Sequence, residues 1–223
     1  MLSVQLKDIT QVNDLALDAD ATLRQIVDTM DTNRKGAVVL LQGNRPVGIL
    51  TERDVVELLS GGTTLDDPVD PRFSKRALVT AKGDRTIAFA LSITLDNNVR
   101  RVIVTDAENR FLGVVTQQDL LKYLEEDFYR STIRVKHIIG SLTRLVSTSP
   151  QSSLTSVLQQ MVDHRIGAVV ITKNDKAVGI VTEKDILKLA RSDLPLTDAV
   201  EKHMTSPVVC ADTNVPLVRI VNS

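Results

Sequence analysis

Leu23, Ile26, Val27 and Met30 stand at i, i+3, i+4 and i+7, an apolar stripe that predicts one face of a helix, with Thr22 or Asp20 as its cap. Ala37 to Leu41 follows as a short aliphatic run, the pattern of a buried strand. Gln42-Gly43-Asn44-Arg45 turns it back into a second strand through Val47-Gly48-Ile49-Leu50. Val55, Val56, Leu58 and Leu59 mark a second amphipathic helix that stops at Gly61-Gly62. The unit reads helix, strand, strand, helix, with a short strand near Leu15–Leu17 ahead of it and a lead-in helix within residues 1–14.

The plan recurs twice. Leu65 to Arg76, with Pro68 and Pro71, reads as a linker holding one short helix. Leu78-Val79-Thr80 is then the short strand and Ile87, Ala90, Leu91 and Leu95 the helix face. Arg101–Val104 and Phe111–Val115 form a hairpin whose turn is one residue longer. Leu120, Leu121 and Leu124 open a helix that runs into the charged stretch Glu125–Arg130. In the third copy Leu145-Val146 is the short strand and Leu154, Val157, Leu158, Met161 and Val162 the helix face. The hairpin is Ala168–Ile171 with Ala177–Val181, and Ile186, Leu187 and Leu189 close the copy. Met30 and Met161 lie on these faces as core filler. Leu196–Val200 echoes Leu65–Val69, Val208-Val209 echoes Val146, and Pro216–Val221 has the look of the next helix. The expected division is residues 1–62, 63–130 and 131–192, with 193–223 the incomplete start of a fourth copy. At the spacing of the third copy a fourth glycine would fall at about residue 240, so the chain is expected to be part of a longer protein.

Each copy is built around one heptad: Gly48-Ile49-Leu50-Thr51-Glu52-Arg53-Asp54, Gly113-Val114-Val115-Thr116-Gln117-Gln118-Asp119 and Gly179-Ile180-Val181-Thr182-Glu183-Lys184-Asp185. The strand ends at Thr and a helix starts at once, so Asp falls in the first helical turn. Two readings of Thr-x-x-Asp stay open. It is close to a capping box, in which Thr caps the helix and an acid at the third position bonds back. A carboxylate there can also accept two hydrogen bonds from the adjacent hydroxyls of a sugar. The glycine suits a close approach of other atoms to the strand.

Composition narrows the function classes. Net charge is −1, which shows no global bias toward nucleic acid or acidic membranes, and aromatics are 3% with no tryptophan, so no base-stacking platform is indicated. No aliphatic run approaches the ~18–20 residues of a membrane span, and Met1–Asp8 lacks the signature of a secretory signal. The single cysteine, Cys210, excludes an internal disulfide, fits a cytoplasmic protein and is expected to be buried. His137, His164 and His203 have no metal-ligand spacing, no Gly-x-Ser-x-Gly elbow is present, and Gly61-Gly62 lacks the Lys-Ser/Thr of a phosphate loop. No catalytic set, no metal site and no enzymatic activity are expected.

Three heptads in register, each preceded by the same helix and strands, resemble the cystathionine-β-synthase (CBS) domain. The resemblance implies an α/β (α+β) fold of tandem CBS domains, each a small three-stranded sheet with two helices on one side. Consecutive copies would pair about a pseudo-twofold axis into a Bateman module with two clefts. Such clefts bind adenosine-containing ligands, so AMP, ADP, ATP or S-adenosylmethionine is the implied regulatory ligand. Carried over by the motif, Thr51 and Asp54, Thr116 and Asp119, and Thr182 and Asp185 would meet the ribose. The position before Asp often holds a base that meets phosphate in the family; Arg53 and Lys184 fit, while Gln118 departs. Arg100, Arg101 and Arg165, with Arg34, Lys35 and His164, are further phosphate candidates, each weighed against a solvated surface charge. Thr80 and Ser147 would border an adenine pocket. The implied function is a non-catalytic sensor that relays ligand binding to an output domain C-terminal to this chain, in a homodimer. The alternative is an assembly scaffold with vestigial clefts, in which Thr and Asp are caps alone.

Overall fold

Each repeat folds as a short strand, a helix, a two-stranded hairpin and a second helix. The structure, a computed structural model, describes residues 4–10, 15–34, 36–71, 73, 78–122, 145–192 and 195–215. A lead-in helix α1 (Leu6–Ile9) precedes the first repeat, β1 (Ala16–Asp18), α2 (Leu23–Asn33), β2 (Ala37–Gln42), β3 (Arg45–Thr51) and α3 (Glu52–Ser60). The second is β4 (Thr80–Lys82), α4 (Ile87–Asp96), β5 (Arg101–Thr105), β6 (Phe111–Thr116) and α5 (Gln117–Leu121). The third is β7 (Ser147–Thr148), α6 (Leu154–His164), β8 (Ala168–Lys173), β9 (Lys176–Thr182) and α7 (Glu183–Arg191). In every sheet the first strand runs parallel to the second and the second antiparallel to the third, with a register shift at the same place in each hairpin. By register Val39, Ile103 and Val170 are equivalent, as are Ile49, Val114 and Ile180. The second hairpin is one residue longer, as its sequence predicts.

The chain divides into two compact units, Met1–Tyr123 with Glu183–Pro195, and Leu124–Thr182 with Leu196–Ser223. In the first unit the two sheets pack face to face. Leu15 and Val39 of repeat one meet Ile103 and Val114 of repeat two, with Leu41, Ile49, Leu78 and Phe111 around them. Helix α7 lies against α2 and α3, where Arg191 pairs with Asp28 at 2.7 Å and Asp31 at 2.5 Å.

The lead-ins explain how the pair is clasped. The first-turn N–H groups of a helix have no partners within it. For α2 they go to the linker: Leu23 N–H donates to the Asp67 carbonyl (3.0 Å) and Arg24 N–H to that of Leu65 (2.7 Å). The described part of 65–76 therefore forms no helix of its own, contrary to the sequence pattern, because its carbonyls serve α2. For repeat two the equivalent clasp comes from the start of the chain: Ile87 N–H donates to Val4 O at 3.2 Å, and Leu6 is fully buried in the core of repeat two with Ala81, Val102 and Leu120. Each member of the pair is thus held by the segment preceding the other.

The second unit has its own core of Leu154, Val157, Leu158 and Met161 on α6 against Val169, Ile171 and Val181, all buried. Its clasp is Leu196–Val200: Leu154 N–H donates to Asp198 O (3.0 Å) and Thr155 N–H to Leu196 O (2.8 Å). The stretch that reads as the opening of a fourth copy closes the third, and bridges of the same kind join Thr22 to Pro68, Gln5 to Thr86 and Ser153 to Ala199.

Three local expectations need correction. The short strands begin at Thr80 and Ser147, just after the apolar residues that suggested them. Leu78 is apolar because it packs on the opposing sheet, while the ladder starts later. Cys210 is exposed, in an irregular stretch beside Val209, which is 95% exposed, so apolar neighbours in sequence do not bury it. Val208-Val209 forms no strand. Leu124, the stretch 125–130 and Pro216–Val221 lie outside the described residues.

Candidate functional site

Thr51 ends β3 in an extended conformation and is the N-cap of α3. Its backbone N–H donates to Asp54 Oδ2 at 2.7 Å and its hydroxyl to the same oxygen at 2.6 Å, a capping box with Asp in the acidic position. Asp54 is only 3% exposed. Repeat two repeats the device: Thr116 N–H and Oγ1 donate to Asp119 Oδ2 at 3.1 and 2.7 Å, and Asp119 N–H donates back to Thr116 Oγ1 at 3.2 Å. Asp119 is more open and faces Lys122 Nζ at 3.4 Å. Thr182 ends β9, and Asp185 lies in the first turn of α7.

The glycine of the first heptad has a separate explanation. A Cβ on Gly48 would come within 2.6 Å of the Pro71 carbonyl oxygen, so this strand is kept bare for the linker that crosses it. At Gly179 a Cβ would strike the Met204 side chain. At Gly48 and Gly179 the heptad glycine thus makes room for the segment that follows its repeat.

At the Thr51 end of the paired sheets a cavity of about 560 Å3 opens. Its apolar wall is Ile49, Val79, Val99 and Ile103, its polar lining Thr51, Asn97 and Asn98, and its charged lining Glu52, Arg53, Arg100, Arg101 and Glu183. Arg53 Nε is 3.1 Å from Glu183 Oε1. Arg101 Nη2 donates to the Gly36 carbonyl at 3.2 Å. Gly36 adopts φ +61°, and a Cβ there would touch both Glu52 and Arg101, whose side chains lie against its backbone. Burial, and then repulsion by Glu183, holds the Glu52 carboxyl above its ordinary value; burial, and then the neighbouring Arg100, lowers Arg101.

The cavity therefore brings together Thr51, Arg53, Arg100 and Arg101 of the expected residues, with Asp54 beneath Thr51. Thr116, Asp119, Thr182, Asp185, Thr80 and Ser147 do not line it. Lys184, Thr80 and Ser147 are exposed. Arg34 and Arg165 take left-handed conformations at the C-caps of α2 and α6. Lys35 lies outside the described residues. Sequence reasoning passed over Glu52, Glu183, Asn97, Asn98 and Val79. The two glutamates sat in the variable pair of their heptads, where opposite charge to Arg53 and Arg101 was the available signal. Among the described residues no group of three or more His, Cys, Asp and Glu is placed to hold a metal, and no helix is long and apolar enough to cross a membrane.

Three tandem small sheets, each running from a threonine straight into a helix, define the class, and comparison with known proteins places the chain within it. The chain belongs to the CBS domain family, whose model matches residues 6–61, 72–126 and 135–192. MJ1225 of Methanocaldococcus jannaschii is 25% identical over 218 residues, covering 90% of this chain and 74% of that protein. The crystal structure of MJ1225, described as a candidate archaeal homologue of g-AMPK, matches with a TM-score of 0.79 at 20% identity, over 98% of this chain and 88% of that one. The inosine-5'-monophosphate dehydrogenase of the same organism is 30% identical over 120 residues, which are 53% of this chain and 22% of the enzyme.

Proposed function

We propose that this chain is a regulatory ligand-sensing module that binds an adenosine-containing nucleotide, AMP, ADP or ATP, or S-adenosylmethionine, in the cleft at Thr51. The observation that carries the reading is the open cavity itself. It sets an apolar edge (Ile49, Val79, Ile103) beside a hydroxyl held by a buried carboxylate and three arginines. In this reading a base lies against the aliphatic edge, a ribose meets Thr51 with Asp54 behind it, and phosphate meets the guanidinium groups. Thr116 with Asp119 and Thr182 with Asp185 are proposed as weaker or incomplete counterparts, Lys184 and Arg165 as their phosphate contacts, and Thr80 and Ser147 as adenine-pocket borders. A ligand that touches both repeats favours one arrangement of the pair, and this bias is the signal passed to an output domain C-terminal to the present chain in a cytoplasmic homodimer. The CBS1, CBS2 and CBS3 units are the domains of this reading.

Calorimetric titration with adenosine, AMP, ATP, S-adenosylmethionine and cyclic dinucleotides tests it, with binding of at least one adenosine compound expected and its loss expected in Thr51→Val with Arg100→Ala. A second reading, assembly without ligand, is favoured by the back-bonded carboxylates Asp54 and Asp119 and by exposed Phe89 and Leu95 on α4. It predicts dimers in sedimentation and no titration heat.

A further inference from the structure

Glu183 is an unusual lining residue for a phosphate-binding cleft. It lies in the first turn of α7, and its side chain, only 13% exposed, turns onto Arg53, which is 35% exposed. That pairing uses the guanidinium Nε that a phosphate oxygen would otherwise accept from. The helix presenting it is anchored at its other end, where Arg191 bonds Asp28 and Asp31 of α2. The second glutamate of the lining, Glu52, lies with Arg101 beside Gly36. Three arginines against two glutamates leave the lining with one net positive charge. A phosphate monoester brings about −1.5 to −2 at neutral pH, and each further phosphate adds to that. The two carboxylates also repel one another, which adds to the effect of burial on Glu52.

We propose that Glu183 is the specificity-determining residue of the first cleft, occupying Arg53 and limiting the negative charge the site accepts, so that adenosine derivatives with at most one phosphate are taken in preference to polyphosphates. The proposal rests on the nucleotide reading above and names the ligand class within it. Glu183 works by competition: a phosphate reaching Arg53 must displace a carboxylate already hydrogen-bonded there. Removing the carboxylate raises the net charge of the lining by one and frees the arginine for phosphate.

The test is calorimetry on the whole chain with adenosine, AMP and ATP, for the parent, Glu183→Gln, Arg53→Gln and the double variant. Glu183→Gln is expected to raise the ratio of ATP to adenosine affinity about tenfold, the effect of one charge-assisted hydrogen bond, and the AMP to adenosine ratio by less. In the Arg53→Gln background the same change is expected to move the ratio less than about twofold. A ratio that does not move in Glu183→Gln, or moves equally with Arg53 replaced, overturns the proposal while adenosine binding keeps the nucleotide reading standing. No heat with any of the three ligands, in parent or variant, overturns the nucleotide reading and this proposal with it. Glu183→Ser, a residue suited to a helix start, gives the same comparison should melting show that the glutamine variant has lost its fold.

Discussion

The Thr51–Asp54 and Thr116–Asp119 ends of the paired sheets share their backbone chemistry and differ in their walls. In both, a threonine donates its N–H and hydroxyl to one carboxylate oxygen three residues on, at 2.7 and 2.6 Å in the first and 3.1 and 2.7 Å in the second. Around the first stand Arg53, Arg100, Arg101 and two glutamates, and a cavity lies against the threonine. In the second the position of Arg53 is Gln118 and that of Glu52 is Gln117, whose amide reaches the Val99 carbonyl at 3.3 Å. Threonine and aspartate are therefore first of all a helix start. Side chains from the neighbouring repeat make one such start a candidate binding site.

The largest expected effect removes what both ends depend on. Ile103→Ala opens a hole in the core between the facing sheets and is expected to cost about 2–5 kcal/mol in denaturant unfolding. Ile180→Ala, on the equivalent but only half-buried face of the third sheet, is expected to cost about 1 kcal/mol. Equal losses would show that this face of the third sheet is as tightly covered as the first two.

Next come the carboxylates. Asp54→Ala is expected to weaken nucleotide binding by about ten- to a hundredfold in calorimetry, through the loss of the carboxylate that holds the Thr51 hydroxyl in place. Asp119→Ala is expected to weaken it less than tenfold, because Gln118 offers no charge to phosphate. Unchanged affinity in Asp54→Ala discredits its part in the site. Without ligand the ranking should vanish: both variants lose a cap and are expected to lose about 1 kcal/mol each in thermal melts.

The smallest effect is a pH dependence. Glu52 binds its proton more tightly in the folded state than in the unfolded chain, owing to burial and then to Glu183. Its contribution to stability is therefore full below the ordinary value of 4.5 and is lost as pH rises through the folded value. Glu52→Gln is expected to melt slightly higher than the parent at neutral pH, with the gain disappearing below pH 4.5. A gain that persists in acid would assign it to something other than this proton.

Much of the fold was legible because its signals are local. The stripe Leu23, Ile26, Val27, Met30 is buried, and the hairpins turn where Gly43 and Asn174-Asp175 take positive φ. The repeat gave three copies of one sheet. Partners distant in sequence left no such trace. Leu6 serves the core of repeat two, and the linker 65–69 gives up its own helix to cap α2. The candidate site was legible to the same depth. Thr51 and Asp54 follow from the heptad, and Arg53 from its place before Asp. The pairing of Arg53 with Glu183, 130 residues away, is a tertiary fact that no period in the chain encodes.

The central claim, that an adenosine ligand occupies the cleft at Thr51, is tested most directly by amide chemical-shift mapping of the whole chain during addition of adenosine and then AMP. Saturable shifts are expected at Gly36, Thr51, Asn97, Asn98 and Arg101, larger than any at Thr116–Asp119. Shifts confined to other residues, or none at millimolar ligand, would contradict it.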